Sequence, residues 1–324
     1  MDTNTSPVAV TFVTVVFEPE LELLRLQARS IARYVAPEIV DSIVVIDNTV
    51  AGLRPRARRR LTEAYGSLAL KLDIVRPSEL LADPVAASGW RVQQALKLLI
   101  ADRIATDWYL VLDAKTVFIS PTAIRELFTD DGRPLGGVHS YEHHPLLPQL
   151  RTVIAYAGLD PDPLVGGFTS TATPFLLSTE AVRSLVGTVG SRHPQGFSAE
   201  FESAGLTEFF LYTASRLADG EALGDVVSGD PLESPTVWPR HRSGRQVQAV
   251  LDDARTGSAT TMAVHRTALA RMDRAGVAAV SQFWVERGLF PSTAAAKRFI
   301  ATYRARYFPA MAVRRLRIRF GRKS

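Results

Sequence analysis

After a short polar start the chain opens with an almost unbroken apolar run, Val8 to Phe17, rich in β-branched residues. A run without inside-outside alternation reads as a strand buried on both faces. Glu18-Pro19-Glu20 then puts acids and a proline where a helix begins. Leu24, Ala28, Ile31 and Tyr34 recur at helical spacing until Pro37. Asp41 to Asn48 is a second apolar strand, closing on Asp47 and Asn48. A basic helical stretch (Arg54 to Tyr65), a strand (Leu70 to Val75), a helix (Ser88 to Ala105) and a strand (Trp108 to Asp113) follow. This β-α-β-α-β-α-β alternation predicts a mostly parallel sheet with helices on both faces. Ligands of such sheets bind beyond the carboxyl ends of the strands, where Asp47, Asn48 and Asp113 stand.

The pattern is less regular downstream. Val138 to Pro148 carries His139, His143 and His144, with no tight metal-binding spacing, and reads as a loop. Thr173 to Ser178 is a strand, Thr207 to Leu217 a helix, and Asp225 to Arg245 a long loop rich in Pro, Ser and Gly. Thr260 to Val264 is a short strand ending at His265-Arg266, and helices are expected from Arg274 to Gly288 and from Ser292 to Tyr307. Residues 1–270 thus read as an α/β ligand-binding body and residues 271–324 as a helical extension with a basic tail.

Composition narrows the classes of function. With 46% hydrophobic and 22% charged residues over 324 positions, the chain is ordinary globular protein, long enough for a large core. It has no cysteine, which excludes disulfides, thiolate metal sites and cysteine nucleophiles. No stretch approaches the length of a membrane span, and Val8 to Phe17 lacks the basic lead of a signal peptide. The expected location is the cytoplasm. The net charge is +5, but Arg314, Arg315, Arg317, Arg319, Arg322 and Lys323 lie in the last residues with no acid among them. The rest of the chain is close to neutral, which argues against a nucleic-acid partner. The tail alternates its arginines with Leu316, Ile318 and Phe320, and suits either a solvated terminus or weak contact with the anionic inner face of a membrane.

Five places can carry chemistry. Asp47-Asn48 at a strand end can accept hydrogen bonds from a nucleoside, or simply begin a turn. On the Ser88 helix, Trp90, Gln93, Gln94 and Lys97 share one sector opposite Val92, Ala95, Leu96 and Leu99. An aromatic ring, two amides and an ammonium suit a polyhydroxylated anion; the same face could equally be solvated. Asp113-Ala114-Lys115 puts one carboxylate at a strand tip, with a lysine suited to phosphate two residues on, or is simply a surface turn. Thr207-Glu208 opens an apolar helix, either as an acidic first turn or as a base for an acceptor hydroxyl. His265-Arg266 offers an imidazole for a metal and a guanidinium for phosphate, although a lone histidine is more often structural or exposed.

The stretches Thr14 to Leu24, Ser88-Gly-Trp-Arg-Val-Gln-Gln-Ala-Leu-Lys-Leu98, Val111-Leu-Asp-Ala-Lys115, Thr207-Glu-Phe-Phe-Leu-Tyr212 and the strand end at His265, in this order, resemble a GT-A glycosyltransferase. More closely they resemble a bacterial family of glycosyltransferase-like proteins known chiefly as a domain of unknown function. The resemblance implies a GT-A, Rossmann-like sheet and a nucleotide-sugar donor, a uridine diphosphate sugar, whose sugar passes to a hydroxyl acceptor in surface-glycan synthesis. It implies that Phe17, Glu18, Asp47, Asn48, Trp90, Gln93, Gln94, Lys97 and Arg266 bind the donor, and that Glu208, Asp113 and Lys115 are catalytic. It implies Mn²⁺ or Mg²⁺ on Asp113 and His265. Lys115, however, stands where the family's D-x-D motif has its second acid, which opens metal dependence to question. The rival readings are a nucleotidyltransferase-like enzyme and a non-catalytic carbohydrate- or nucleotide-binding protein of the same fold. A Rossmann dehydrogenase or P-loop enzyme is disfavoured, because no glycine-rich loop follows the first strand.

Overall fold

The computed structural model describes residues 9–81, 90–230, 232 and 234–321. Strand β1 (Val10–Val16) is buried at all seven positions, as its unbroken apolar run requires. Helix α1 (Leu21–Tyr34) follows a single 3-10 turn over Glu18–Glu20, and then come β2 (Val40–Asp47), α2 (Pro55–Ala64), β3 (Leu72–Val75), α3 (Trp90–Leu99) and β4 (Trp108–Asp113). These strands form the body of a five-stranded sheet of order β3-β2-β1-β4-β8, where β8 is Phe175–Ser178. The pairs β1–β2, β1–β4 and β2–β3 are parallel; β8 is antiparallel at the edge. The fold is therefore α/β with a mostly parallel central sheet flanked by helices.

Period-2 alternation splits the core between the two faces. Phe12, Val16, Leu110 and Leu112 pack on the α1–α2 side with Leu24, Ile31, Leu61 and Tyr65. Val13, Val15, Tyr109 and Val111 pack on the other side with Leu96 of α3 and with Leu177 and Phe209. That second face is built from pieces the sequence pattern left irregular. They are a small hairpin, β6 (Val138–His139) with β7 (Phe168–Thr169), and helices α4 (Leu147–Tyr156), α5 (Thr179–Gly190), α6 (Phe197–Ser203), α7 (Glu208–Ala218) and α8 (Leu223–Val226). His139 and His144 stack around buried Tyr141, with ring centroids 4.3 and 5.0 Å away, so this histidine-rich stretch forms an aromatic cluster.

Beyond β4 the chain turns through Asp113–Thr116 and leaves the main sheet as β5 (Thr116–Phe118), which joins β9 (Thr236–Val237) and β10 (Thr261–Val264) in a second sheet of order β5-β10-β9. The expected long loop thus contains β9, and α9 (Gly244–Thr256) begins at its end, capped by Ser243. Helices α10 (Arg266–Arg271), α11 (Arg274–Glu286) and α12 (Thr293–Gly321) complete the chain. The last helix runs on through Pro309, past the expected stop at Tyr307. It is anchored where the proline falls: Tyr303 and Tyr307 are buried, and Arg304 donates to the carbonyls of Leu269 (3.0 Å) and Met272 (2.7 Å). One lost hydrogen bond does not stop a helix so held. The arginines expected in a tail, Arg314, Arg315, Arg317 and Arg319, fall on this helix; Arg322 and Lys323 lie outside the described residues. Among the described residues no helix is long and apolar enough to cross a membrane.

Candidate functional site

In strand order, the chain moves from β1 outward to β2 and β3, then returns to β4 on the other side of β1. The crevice beyond β1 and β4 is therefore the switch point where ligands of open α/β sheets bind. Val15 and Asp113 are register partners there. A cleft of ≈ 310 Å³ opens above them, lined by Glu20, Gln93, Gln94, Lys97, Asp113, Lys115, Thr171, Thr207, Glu208, Trp238, His265 and Arg266 among others.

Each element delivers its residue for a local reason. β4 ends at Asp113, and the tight turn to β5 carries Lys115. Buried Gln27 of α1 fixes that turn: its amide donates to the carbonyls of Asp113 (2.7 Å) and Thr116 (3.1 Å), while its oxygen accepts from Thr14 Oγ1 (3.0 Å). β10, antiparallel to β5, brings its end to the same place, so His265 and Arg266 emerge beside Lys115. The polar sector of α3 faces this cleft and not solvent: Gln94 and Lys97 are 3% and 8% exposed.

Lys97 Nζ lies 3.0 Å from Glu208 Oε1 and 3.3 Å from Asp113 Oδ1, above the Phe209 ring. Burial would lower its pKa, but Asp113 and Glu208 hold it above the ordinary lysine value, so it stays an ammonium. Asp113 also pairs with Lys115 through its other oxygen. Burial would raise the Asp113 carboxyl, but Lys115 and Lys97 keep it well below the usual carboxylate range. Glu208 differs: burial pushes it up, against Lys97. Across the cleft Arg266 pairs with Glu20 (3.0 Å) and lies over the Phe17 ring at 5.3 Å. Burial raises Glu20, opposed by Arg266 and Lys115.

Among the described residues, two buried polar atoms of the cleft have no partner: Gln94 Oε1 and Thr207 Oγ1. Thr207 stands at the N-cap of α7, yet its hydroxyl makes no capping bond. Buried polar groups are nearly always satisfied by protein, water or a ligand, so both atoms are available to a polar group entering the cleft.

The implied donor-binding set divides. Gln93, Gln94, Lys97 and Arg266 line the cleft with the catalytic candidates Asp113, Lys115 and Glu208. Phe17, Glu18, Asp47 and Asn48 do not. Phe17 is a buried platform under Arg266. Glu18 accepts from the backbone of Val50 (2.6 Å). Asp47 has both oxygens engaged, by Thr49 (2.6 and 3.1 Å), by Leu53 N (2.6 Å) and by Arg76 (2.8 Å). It holds the turn in which Gly52 adopts φ 77°, a conformation glycine supplies without strain. Asn48 is half-buried, with its backbone N–H on Val16 O (2.9 Å). Trp90 begins α3, but its side chain lies outside the described residues, as do Ser88 and Gly89. The structure adds Glu20 and Trp238, which the sequence pattern did not mark. Trp238 is 38% exposed, with its ring 5.8 Å from His265 and the Lys115 ammonium 6.0 Å from its centre.

The two residues implied as ligands of Mn²⁺ or Mg²⁺ do not make a fitting donor set. Among the described residues no three His, Asp or Glu side chains converge to hold a metal. Asp113 has an ammonium on each oxygen, and His265 accepts from Thr267 N (3.1 Å) through Nδ1. Hard dications ask for several oxygens, and two lysines at the one carboxylate oppose them electrostatically. The His265 pKa is pushed down to about 4 by burial, Arg266 and Lys115, so the ring is neutral near pH 7.

Residues 14–226 match a family described as "Family of unknown function (DUF6492)". No curated protein matches the chain. Among solved structures, the chain is similar to the galactosyltransferase LgtC in complex with donor and acceptor sugar analogs, at 12% identity and a TM-score of 0.48, over 86% of this chain and 95% of that one. It is also similar to mouse xyloside xylosyltransferase 1 in its apo form (12% identity, TM-score 0.39, 79% and 98% covered). A third is the bifunctional glycosyltransferase WbbM (11%, 0.34, 79% and 45%).

Proposed function

The chain belongs to the family of unknown function DUF6492, and we propose that this member is a glycosyltransferase that moves a sugar from a nucleoside diphosphate to an acceptor hydroxyl. The observation that carries this reading is the pairing, in one switch-point cleft, of unpartnered Gln94 Oε1 and Thr207 Oγ1 with the cations of Lys97, Lys115 and Arg266. A polyhydroxylated ring supplies the missing donors, and a diphosphate suits the cations. Trp238 offers a partly exposed aromatic face on which a sugar or base ring packs.

In the reaction the acceptor oxygen attacks the anomeric carbon and the bond from that carbon to the diphosphate oxygen breaks. Negative charge grows on the departing phosphate, and fixed cations near it are the principal electrostatic term. Lys115 and Arg266 fill that role from the cleft wall. Glu208 takes the acceptor proton; its raised pKa makes it a stronger base than an exposed carboxylate. Lys97 orients Glu208 and Asp113 together. A uridine diphosphate sugar is the first donor to try. A cytoplasmic site, supplying surface-glycan synthesis, is the setting we assign to the reaction.

Thermal unfolding with nucleoside diphosphates and their sugars, each with a chelator and with Mn²⁺, tests the reading. A bound donor at 100 times its dissociation constant stabilises by about 2.7 kcal/mol. We expect a sugar nucleotide to raise the midpoint in the presence of chelator. If no nucleoside diphosphate or sugar nucleotide moves it, the assignment is wrong.

A further inference from the structure

A second concavity shares no lining residue with the switch-point cleft. It is a cleft of ≈ 300 Å³ between α1, α2 and α12, with Arg25, Arg54, Arg56, Arg60 and Arg306 in its wall and Glu22 as its one acid. Glu22 is already shared by Arg25 (2.7 Å) and Arg306. Among the described residues, Arg54, Arg56 and Arg60 pair with no carboxylate. Among the described residues, Arg25 Nε is buried without an acceptor, while its terminal nitrogen holds Glu22.

The fold does not explain so many cations. Arg54 and Arg56 sit at the N-terminal end of α2, which has no acid in its first turn. The helix dipole already makes that end positive, so both arginines stand where a cation is unfavourable and an anion is welcome. Guanidinium forks match the oxygens of phosphate in pairs. A phosphate bound there would offset the mutual repulsion of these cations and meet the positive end of the helix dipole.

The basic cleft continues into a mostly apolar groove of ≈ 370 Å³ that includes Val50, Ala51 and Pro309, with Glu18 and Thr49 also in its wall. The two share Leu21, Leu53, Arg54 and Ala57. Val50 is 57% exposed there. An arginine-lined head site thus runs directly into an apolar trough, which is the outline of an amphiphile.

We propose that these joined concavities bind one anionic amphiphile, its phosphate on Arg25, Arg54, Arg56 and Arg60 and its alkyl chain along Leu21, Val50, Leu53 and Pro309. No residue of this site belongs to the switch-point cleft, so the inference stands independently of the transferase reading. The ligand is an alkyl or acyl phosphate, whether a bilayer phospholipid or a single lipid-linked phosphate.

Calorimetric titration of the full chain with dodecyl phosphate, below its micelle concentration, tests this. Inorganic phosphate serves as a head-only probe and dodecyl maltoside as a tail-only probe. Dodecyl phosphate is expected to bind saturably, one per chain, at least about tenfold tighter than either control, because only it fills both parts. Replacing Arg56 and Arg60 by Ala together weakens it about tenfold or more. Val50→Asp weakens dodecyl phosphate but leaves inorganic phosphate unchanged. Arg56 and Val50 are exposed and Arg60 is half-exposed and in no ion pair among the described residues, so these variants are expected to stay folded, which their circular dichroism and unfolding midpoints check. Co-flotation with phosphatidylglycerol vesicles separates the sources. Recruitment that the Arg56/Arg60 replacement abolishes identifies a bilayer lipid, and dodecyl phosphate binding without such recruitment identifies a single lipid-linked phosphate. No saturable binding, or binding indifferent to the Arg56/Arg60 replacement, overturns the proposal.

Discussion

Glu208 is held by two opposed effects, and the balance gives it a testable signature. Burial raises its pKa above the ordinary 4.5 and Lys97 only partly offsets this. The folded protein therefore holds the Glu208 proton more tightly than the unfolded chain does. Stability from this group is fully present below the ordinary value and is lost as pH rises through the higher folded value. Glu208→Gln removes that window, so its unfolding midpoint is expected to fall less than wild type between mildly acidic and neutral pH. The same change is expected to lower kcat by about 10² to 10⁴-fold, with the acidic limb of the wild-type profile lying above the ordinary carboxylate range. Unchanged turnover in the Gln variant excludes Glu208 as the base. Asp113 carries the opposite sign, since Lys115 and Lys97 depress its pKa, and the Lys115 ammonium on its carboxylate opposes a dication there electrostatically. Wild-type transfer is expected to survive a chelator. Lys115→Asp creates two carboxylates two residues apart, and its activity is expected to vanish with chelator and return with Mn²⁺. Wild-type activity abolished by the chelator refutes this reading of Lys115. At this scale much was legible: Asp113, Lys115, Glu208, Lys97 and Arg266 were all singled out by the sequence pattern. Asp47 looked identical to Asp113, an acid closing a buried strand. Only strand order separates them, because β2 lies one strand away from the switch point and Arg76 comes across to neutralise Asp47.

Among the elements, the β4–β5 turn is the piece on which the site depends, and its key residue gave no signal in the sequence. Gln27 falls on the inner face of α1 among leucines, where a glutamine looks like an interruption of the apolar stripe. Folded, it is fully buried and donates to the carbonyls of Asp113 and Thr116 at either end of the turn. Gln27→Leu leaves both carbonyls and the Thr14 hydroxyl without it, at a cost of about 3 kcal/mol. Because the turn sets Asp113 and Lys115, kcat is expected to drop while the affinity for free nucleotide, measured by titration, changes less. A variant equal to wild type in stability shows the turn to be self-supporting. The helices α5 and α9 were illegible for a related reason. α5 carries Gly187, Gly190 and several β-branched residues, and it is packing of Val182, Leu185 and Val189 against the sheet that makes it helical. Trp238 was hidden in a stretch whose Pro, Ser and Gly content reads as loop, although β9 immediately precedes it.

For the whole molecule, the question is whether the helical extension beyond residue 270 is a separate unit. Its core residues Val280, Phe283, Trp284 and Ile300 form one cluster with Leu23 and Leu26 of α1, Val117 of β5 and Val264 of β10. The same α1 presents Leu24 and Ile31 to the main sheet. Helix α1 thus contributes to two cores at once, and β10 ends in the residues that close the cleft. No surface separates the extension from the body without exposing α1, so the two are expected to unfold together. Urea unfolding followed by tryptophan fluorescence and by far-ultraviolet circular dichroism should give coincident single transitions. Trp284→Ala, which empties a fully buried site in the extension, should cost about 3–5 kcal/mol and shift both probes equally. If the extension melted first, leaving the sheet signal intact, the boundary near residue 270 would be a real domain border. His265 and Arg266 would then have to be held by the body alone.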